Sequence, residues 1–164
     1  MKESTLKLKG VYTFTHIRNG EIIDQTTEEN VVTIEGRTHI LQAYFAGGTA
    51  GTKFIGLFTG NITPSQNDVM STFLTNAIEF TGYAETTREQ FVGTVSNGNV
   101  TNTTNKAEFT INAGGTIRGI FMTTNSTKSG TAGALISAKR FDTDRAVNSG
   151  DILQIEWNLT TTSA

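Results

Sequence analysis

The chain has no cysteine and a single proline, Pro64. Without cysteine there is no disulfide framework, no thiolate metal site and no cysteine nucleophile. Charge is scarce too: charged residues make up 17% of the chain, against about 25% in an ordinary globular protein. With a net charge of −2, there is no clustered Lys/Arg footprint of the kind nucleic-acid phosphates demand. No apolar run approaches the ~18 residues of a membrane span. The opening MKESTLKLKG lacks the apolar stretch of a secretory signal, so the expected site of synthesis and folding is a cytoplasm-like compartment.

What is present is threonine, asparagine, serine and glycine, alongside 36% hydrophobic residues. This is a folded chain with an uncharged polar surface, not a disordered one. At 164 residues it reads as one domain, residues 1–164, large enough for a real core.

Periodicity divides the chain. Leu6, Leu8, Tyr12 and Phe14 alternate with Lys7, Lys9, Val11 and Thr13, which predicts a strand over residues 5–18. Asn19-Gly20 before Glu21-Ile22-Ile23-Asp24 predicts a type I′ hairpin, pairing Arg18 with Glu21 and Ile17 with Ile22. Residues 1–29 thus read as an N-terminal hairpin extension, and 30–164 as the core. One helix is expected at about 34–46, capped by Thr33, with Glu35 at its positive end and Gly47-Gly48 as its stop. Ile34, Ile40, Leu41, Tyr44 and Phe45 form its apolar stripe, expected to dock on a sheet. Gly36 in its first turn implies close packing on a neighbouring strand.

Phe54-Ile55-Gly56-Leu57-Phe58 reads as a strand buried on both faces, with the helix over one of them. Residues 69–76 allow a further short helical turn. Beyond it, strands are expected at about 78–85, 90–95, 106–112, 116–123, 133–141 and 151–160. Turns at Asn97-Gly98, Gly114-Gly115 and Asn148–Asp151 would make hairpins, the second pairing Phe109–Ile111 with Gly119–Met122. The expected fold is mainly β: an antiparallel, jelly-roll-like β-sandwich with one helix packed on it.

Candidates for chemistry are few. His16 and His39 lack a nucleophile signature such as G-x-S-x-G. Asp142 and Asp144 form a D-x-D pair that suits a hard cation, but the glycine and glutamate of a calcium loop are missing, so pairing with Arg140 or Arg145 is the simpler reading. Glu28-Glu29 and Glu85–Glu89 read as solvated loop charges. The loops AGGTAGTK and STKSGTAG resemble phosphate cradles in composition alone. The first leads from a helix into a strand, so no helix N-terminus faces an anion. Four N-x-[ST] sequons, at Asn61, Asn102, Asn125 and Asn158, follow from composition. Neither catalytic residues, metal nor cofactor are expected. The leading hairpin, through Leu6, Lys7, Leu8, Lys9, Tyr12 and Phe14, either caps the core or clasps a neighbouring subunit.

A family pattern emerges from ordered blocks over about residues 30–160: Asn30-Val31-Val32, Gly36, Leu41, Phe45–Gly48 and Phe54–Leu57, then Thr63-Pro64 and Ala84–Arg88. It continues through Phe109–Asn112, Gly119 with Phe121, Thr127–Thr131 and Ser149–Asp151. Together these resemble small virion proteins of tailed bacteriophages, of the capsid decoration or cement type. The resemblance implies a non-enzymatic structural protein at the capsid surface, made in the bacterial host cytoplasm. It also implies binding to the major capsid protein, as a homo-oligomer (dimer or trimer). A tail or fibre component recognising a host glycan is the alternative, with Tyr83 and Trp157 as its aromatic candidates. A hydrolase using His16, His39, Asp142 and Asp144 is the remote one.

Overall fold

The computed structural model describes residues 6–163. Strands β1 (Leu6–Arg18) and β2 (Glu21–Val32) lead into helix α1 (Ile34–Phe45) and β3 (Lys53–Phe58). Helix α2 (Met70–Ala77) precedes four short strands: β4 (Glu79–Phe80), β5 (Glu89–Phe91), β6 (Thr94–Ser96) and β7 (Asn99–Thr101). Then come β8 (Ala107–Thr110), β9 (Gly115–Thr123), β10 (Leu135–Val147) and β11 (Ile152–Ser163). The strands join in one antiparallel sheet, ordered β4-β3-β9-β10-β2-β1-β11-β7-β6, with β5 added on β3 and β8 on β11. The protein is mainly β, as expected, and the sheet curls over its own core. Tyr12, Phe14, Phe109, Leu153, Ile155 and Trp157 of one half share that core with Ile55, Leu57, Ile117, Ile120 and Met122 of the other.

Two predicted hairpins form as read. Asn19 and Gly20 take φ of 53° and 81°, and Arg18 opposes Glu21 while Ile17 opposes Ile22. Asn97-Gly98 likewise closes β6 onto β7. The other two do not. β8 pairs with β11, and β9 lies between β3 and β10, so Gly114-Gly115 carries the chain between two parts of the sheet. Nor do β10 and β11 pair across Asn148–Asp151. A turn sequence specifies a local reversal, and an arch between layers satisfies it as well as a hairpin does.

Residues 1–29 are not an appended extension. β1 pairs with β11 over Leu6–Ile17 and with β2 over Gly10–Arg18, placing Tyr12 and Phe14 in the core. The division at residue 30 follows the leading hairpin and the start of the resembling blocks, whereas the packing runs across it.

Helix α1 starts and stops as expected. The Thr33 hydroxyl accepts from the Gly36 N–H (2.9 Å) and donates to the Leu135 carbonyl. Gly47 turns left-handed at φ 71°. Gly36 rests on the β10 backbone: a Cβ there would sit 2.3 Å from the Ile136 carbonyl oxygen. Gly36→Ala is therefore expected to push α1 off β10 and cost ~1–3 kcal/mol, despite alanine's better helix propensity. Chemical denaturation of the two proteins measures it.

The expected docking of the α1 stripe does not occur. Gly36 is the one fully buried residue of α1. The helix that covers the sheet is α2, which forms where a further short helical turn was read at 69–76. Its Met70, Phe73 and Ala77 pack on Phe58, Phe121, Leu135 and Ala138, with Phe73 edge-on to Phe58 at 5.7 Å. That cluster buries the outer face of β3, while Ile55 and Leu57 bury the inner one. Glu35 joins the two helices. Its carboxylate accepts the Met70 N–H at the start of α2 (2.8 Å) and the Leu135 N–H (2.6 Å).

Candidate functional site

His16 projects from the core face of β1, after Tyr12 and Phe14, and is buried. Its Nε2–H donates to Asp151 Oδ2 (2.7 Å), and Arg18 grips the same carboxylate with Nε and Nη2 at 2.8 and 2.7 Å. The Asn148 N–H adds a further bond (2.8 Å). Arg18 beside Asp151 holds the carboxyl far below the usual carboxylate range, against the opposing effect of burial. This His–Asp pair resembles half of a catalytic triad. Among its hydrogen-bond partners, however, there is no hydroxyl nucleophile: the carboxylate's donors are Arg18, His16 and a turn amide. The arrangement fixes the β10–β11 arch to β1. His39 is elsewhere, donating to the Ala50 carbonyl (3.0 Å) from α1.

The carboxylates of Asp142 and Asp144 are occupied by cations of the chain itself. Between Arg140, opposite Gly119, and Arg145, opposite Ile117, the residues Phe141–Asp144 bow out across Arg118 alone. Asp144 thereby reaches Arg118 (2.9 Å) and Arg140 (2.6 Å), while Asp142 takes Lys139 (3.1 Å). The expected pairing with Arg140 forms, but Arg145 turns instead to Asp24 and Thr26 of β2. Among the described residues no group of three or more His, Asp and Glu is placed to hold a metal ion.

Arg88, expected to be a solvated loop charge, is fully buried. It meets Glu79 in a two-pronged pair, Nε to Oε1 and Nη2 to Oε2, both 2.8 Å. Its remaining donors reach the carbonyls of Asn125 (2.8 Å) and Gly130 (2.9 Å), and its guanidinium lies 5.1 Å from the centre of the Phe121 ring. These carbonyls belong to the STKSGTAG loop and its flank. Phosphate-cradling loops point amides inward. This one points carbonyls inward, at a cation, and gives one amide, Ser129 N–H, to Glu79 (2.5 Å). The AGGTAGTK loop does the same on a smaller scale, its Ala50 and Gly51 carbonyls accepting from Lys53, whose ammonium is lowered in pKa by burial.

The proposed hairpin interface is largely interior. Tyr12 and Phe14 are buried, with the Tyr12 hydroxyl 2.8 Å from Ser137 Oγ. Leu8 packs partly against the core, and only Lys7 and Lys9 are exposed; the Leu6 side chain lies outside the described residues. Tyr83 and Trp157, the candidates for stacking a sugar, are buried too. Asn102, nominally a sequon, is enclosed: its side chain pairs with the Ile155 carbonyl and the Trp157 N–H, extending the ladder of β11.

Large apolar side chains are exposed singly or in pairs at Ile22, Ile23, Ile78, Val92 and Val95, and in greatest number on α1. Ile34 is 45%, Leu41 55%, Tyr44 75% and Phe45 84% accessible. Grooves flank the helix on both sides. One, of about 260 Å³, lies over Trp157, Met122, Ile136 and Phe91, with His39 and Lys53 on its wall. The other, of about 710 Å³, lies among Leu8, Val32, Ile40, Leu41 and Leu159. Periodicity found the stripe but not the side it faces. No protein-family model matches this chain, and no curated protein or solved structure matches it either.

Proposed function

We propose that this is a non-enzymatic virion structural protein of a tailed bacteriophage, a cement or decoration protein that binds the major capsid protein lattice. On this reading the curled sheet serves as a jelly-roll-like sandwich carrying attachment surfaces on its rim. The observation that carries it is the distribution of unpartnered groups. The clusters with chemical potential, around Asp151, Asp144 and Glu79, are saturated by the chain's own cations. The exposed apolar α1 face and its grooves are what a macromolecular contact uses. The ordered sequence blocks from Asn30 to Asp151 supply the virion context.

Many modest contacts per particle give avidity through effective concentration. With few charges on the surface, attachment should weaken little with salt, since screening acts on exposed ion pairs. The expected result is saturable, stoichiometric binding of the purified protein to empty capsids, little changed between low and high salt, by cosedimentation. Binding confined to tails or to one vertex overturns the reading.

A further inference from the structure

The outward stripe of α1 has the spacing of a helix-packing seam. Ile34, Leu41 and Phe45 fall at i, i+7 and i+11, with Tyr44 beside them, and they face away from the sheet. Phe45 stands at the end of this seam as a projecting knob. Phe45 also forms part of the wall of the 710 Å³ groove, with Leu8, Val32, Ile40 and Leu159, and that groove is a hole. Knob and hole thus lie on one patch, which is what a two-fold interface requires, because each copy presents the same surface to the other.

We propose that α1 is a self-association surface, on which a second copy of this chain packs its own α1 across a two-fold axis, each Phe45 entering the groove of the other. The area fits. Tyr44 and Phe45 alone leave roughly 300–400 Å² of aromatic surface exposed. Ile34, Leu41 and the groove walls bring the patch toward the ~800 Å² per partner typical of stable association. Charge does not select the occupant: Lys7 and Arg37 line the groove, Arg37 reaching toward Gln66 Oε1 (3.4 Å), while Glu35 is engaged by Met70 and Leu135. The choice of a second copy rests on the shape and the area of the patch. The inference does not depend on the capsid reading.

The test is sedimentation equilibrium of the full chain at roughly 100 µM, well above the Kd of a weak specific interface. The expected mass is twice the 17.7 kDa of one chain. The double variant Tyr44→Ser, Phe45→Ser should return to a single chain mass with unchanged circular dichroism, since both residues are exposed. The absence of cysteine permits a second test. Under oxidation Thr38→Cys, at the middle of the seam, should form a disulfide-linked dimer, and Glu21→Cys, exposed at the end of β2 remote from α1, should not. A monomeric wild type, a double variant that stays dimeric, or cross-linking at position 21 alone overturns the proposal. A trimer overturns its two-fold geometry. If a monomeric wild type still saturates capsids, self-association fails and the cement reading stands; a dimer that ignores capsids gives the reverse.

Discussion

Replacing Arg88 by alanine is expected to destabilise the protein by ~3–5 kcal/mol, the range for breaking a buried ion pair by removing one partner. In a chain of this size that lowers Tm by on the order of 10 °C. The cost is not the worth of the pair. It arises because Glu79, itself enclosed, is left with only the Ser129 N–H as donor, while the Asn125 and Gly130 carbonyls lose theirs. Arg88→Lys should recover little, since an ammonium cannot make the two-pronged contact. The double replacement Glu79→Leu, Arg88→Met should recover a large part, because it removes both charges and leaves only the loop carbonyls to be satisfied. Thermal and chemical unfolding of the four proteins decide it. If Arg88→Ala costs no more than replacing exposed Lys7, the buried pair does not organise the loop. The same variant should make the 125–130 loop the first site of proteolytic cleavage, since its carbonyls converge on that guanidinium.

Asp151→Asn is expected to cost ~2–4 kcal/mol near neutral pH, since it removes a buried carboxylate that accepts from Arg18, His16 and the Asn148 amide. Its pH dependence follows from linkage. The folded-state pKa of Asp151 is depressed, chiefly by Arg18. A depressed carboxyl contributes stability that is complete above the unfolded pKa of about 4 and lost as pH falls toward the folded value. The stability gap between wild type and variant should therefore hold as pH falls from 5 toward about 4, then narrow steadily toward pH 2. Urea titrations at stepped pH measure the gap. A gap flat down to pH 2, or one that closes above pH 5, contradicts the assignment of Asp151 as the ionised centre of the arch.

Much of the local structure was legible because it depends on neighbours in sequence. Asn19-Gly20 gave both the turn and the register, and Thr33, Gly36 and Gly47 gave the limits of α1. The alternation of Leu153, Ile155, Trp157 and Leu159 gave the inward face of β11. Arg88 was misread for a definite reason. Glu85, Arg88 and Glu89 are alike as a string of polar residues, yet Arg88 alone is swallowed, because its partners come from Glu79, Asn125 and Gly130. No pattern within the ETTRE stretch records those positions. The short helix read at 69–76 does form, as Met70–Ala77, but its part in the fold was not legible, for a similar reason. Met70, Phe73 and Ala77 make a weak signal over eight residues, and their value comes from Phe58 and Phe121, which they cover.

What the sequence by itself determined is composition and local geometry: a cysteine-free, charge-poor, mainly β chain with specified turns, caps and strand faces. What only the tertiary structure decided is partnership. It determined that β8 joins β11 and not β9, and that α2 covers the sheet while α1 stands with its apolar stripe outward. It also determined that Asp144, Asp151 and Glu79 are each neutralised within the chain. The physical reason is that periodicity records the angle between side chains on one element. Which of two apolar surfaces is buried depends on the competition between elements for the same sheet, and here the short helix α2 took the outer face of β3 that α1 was expected to cover.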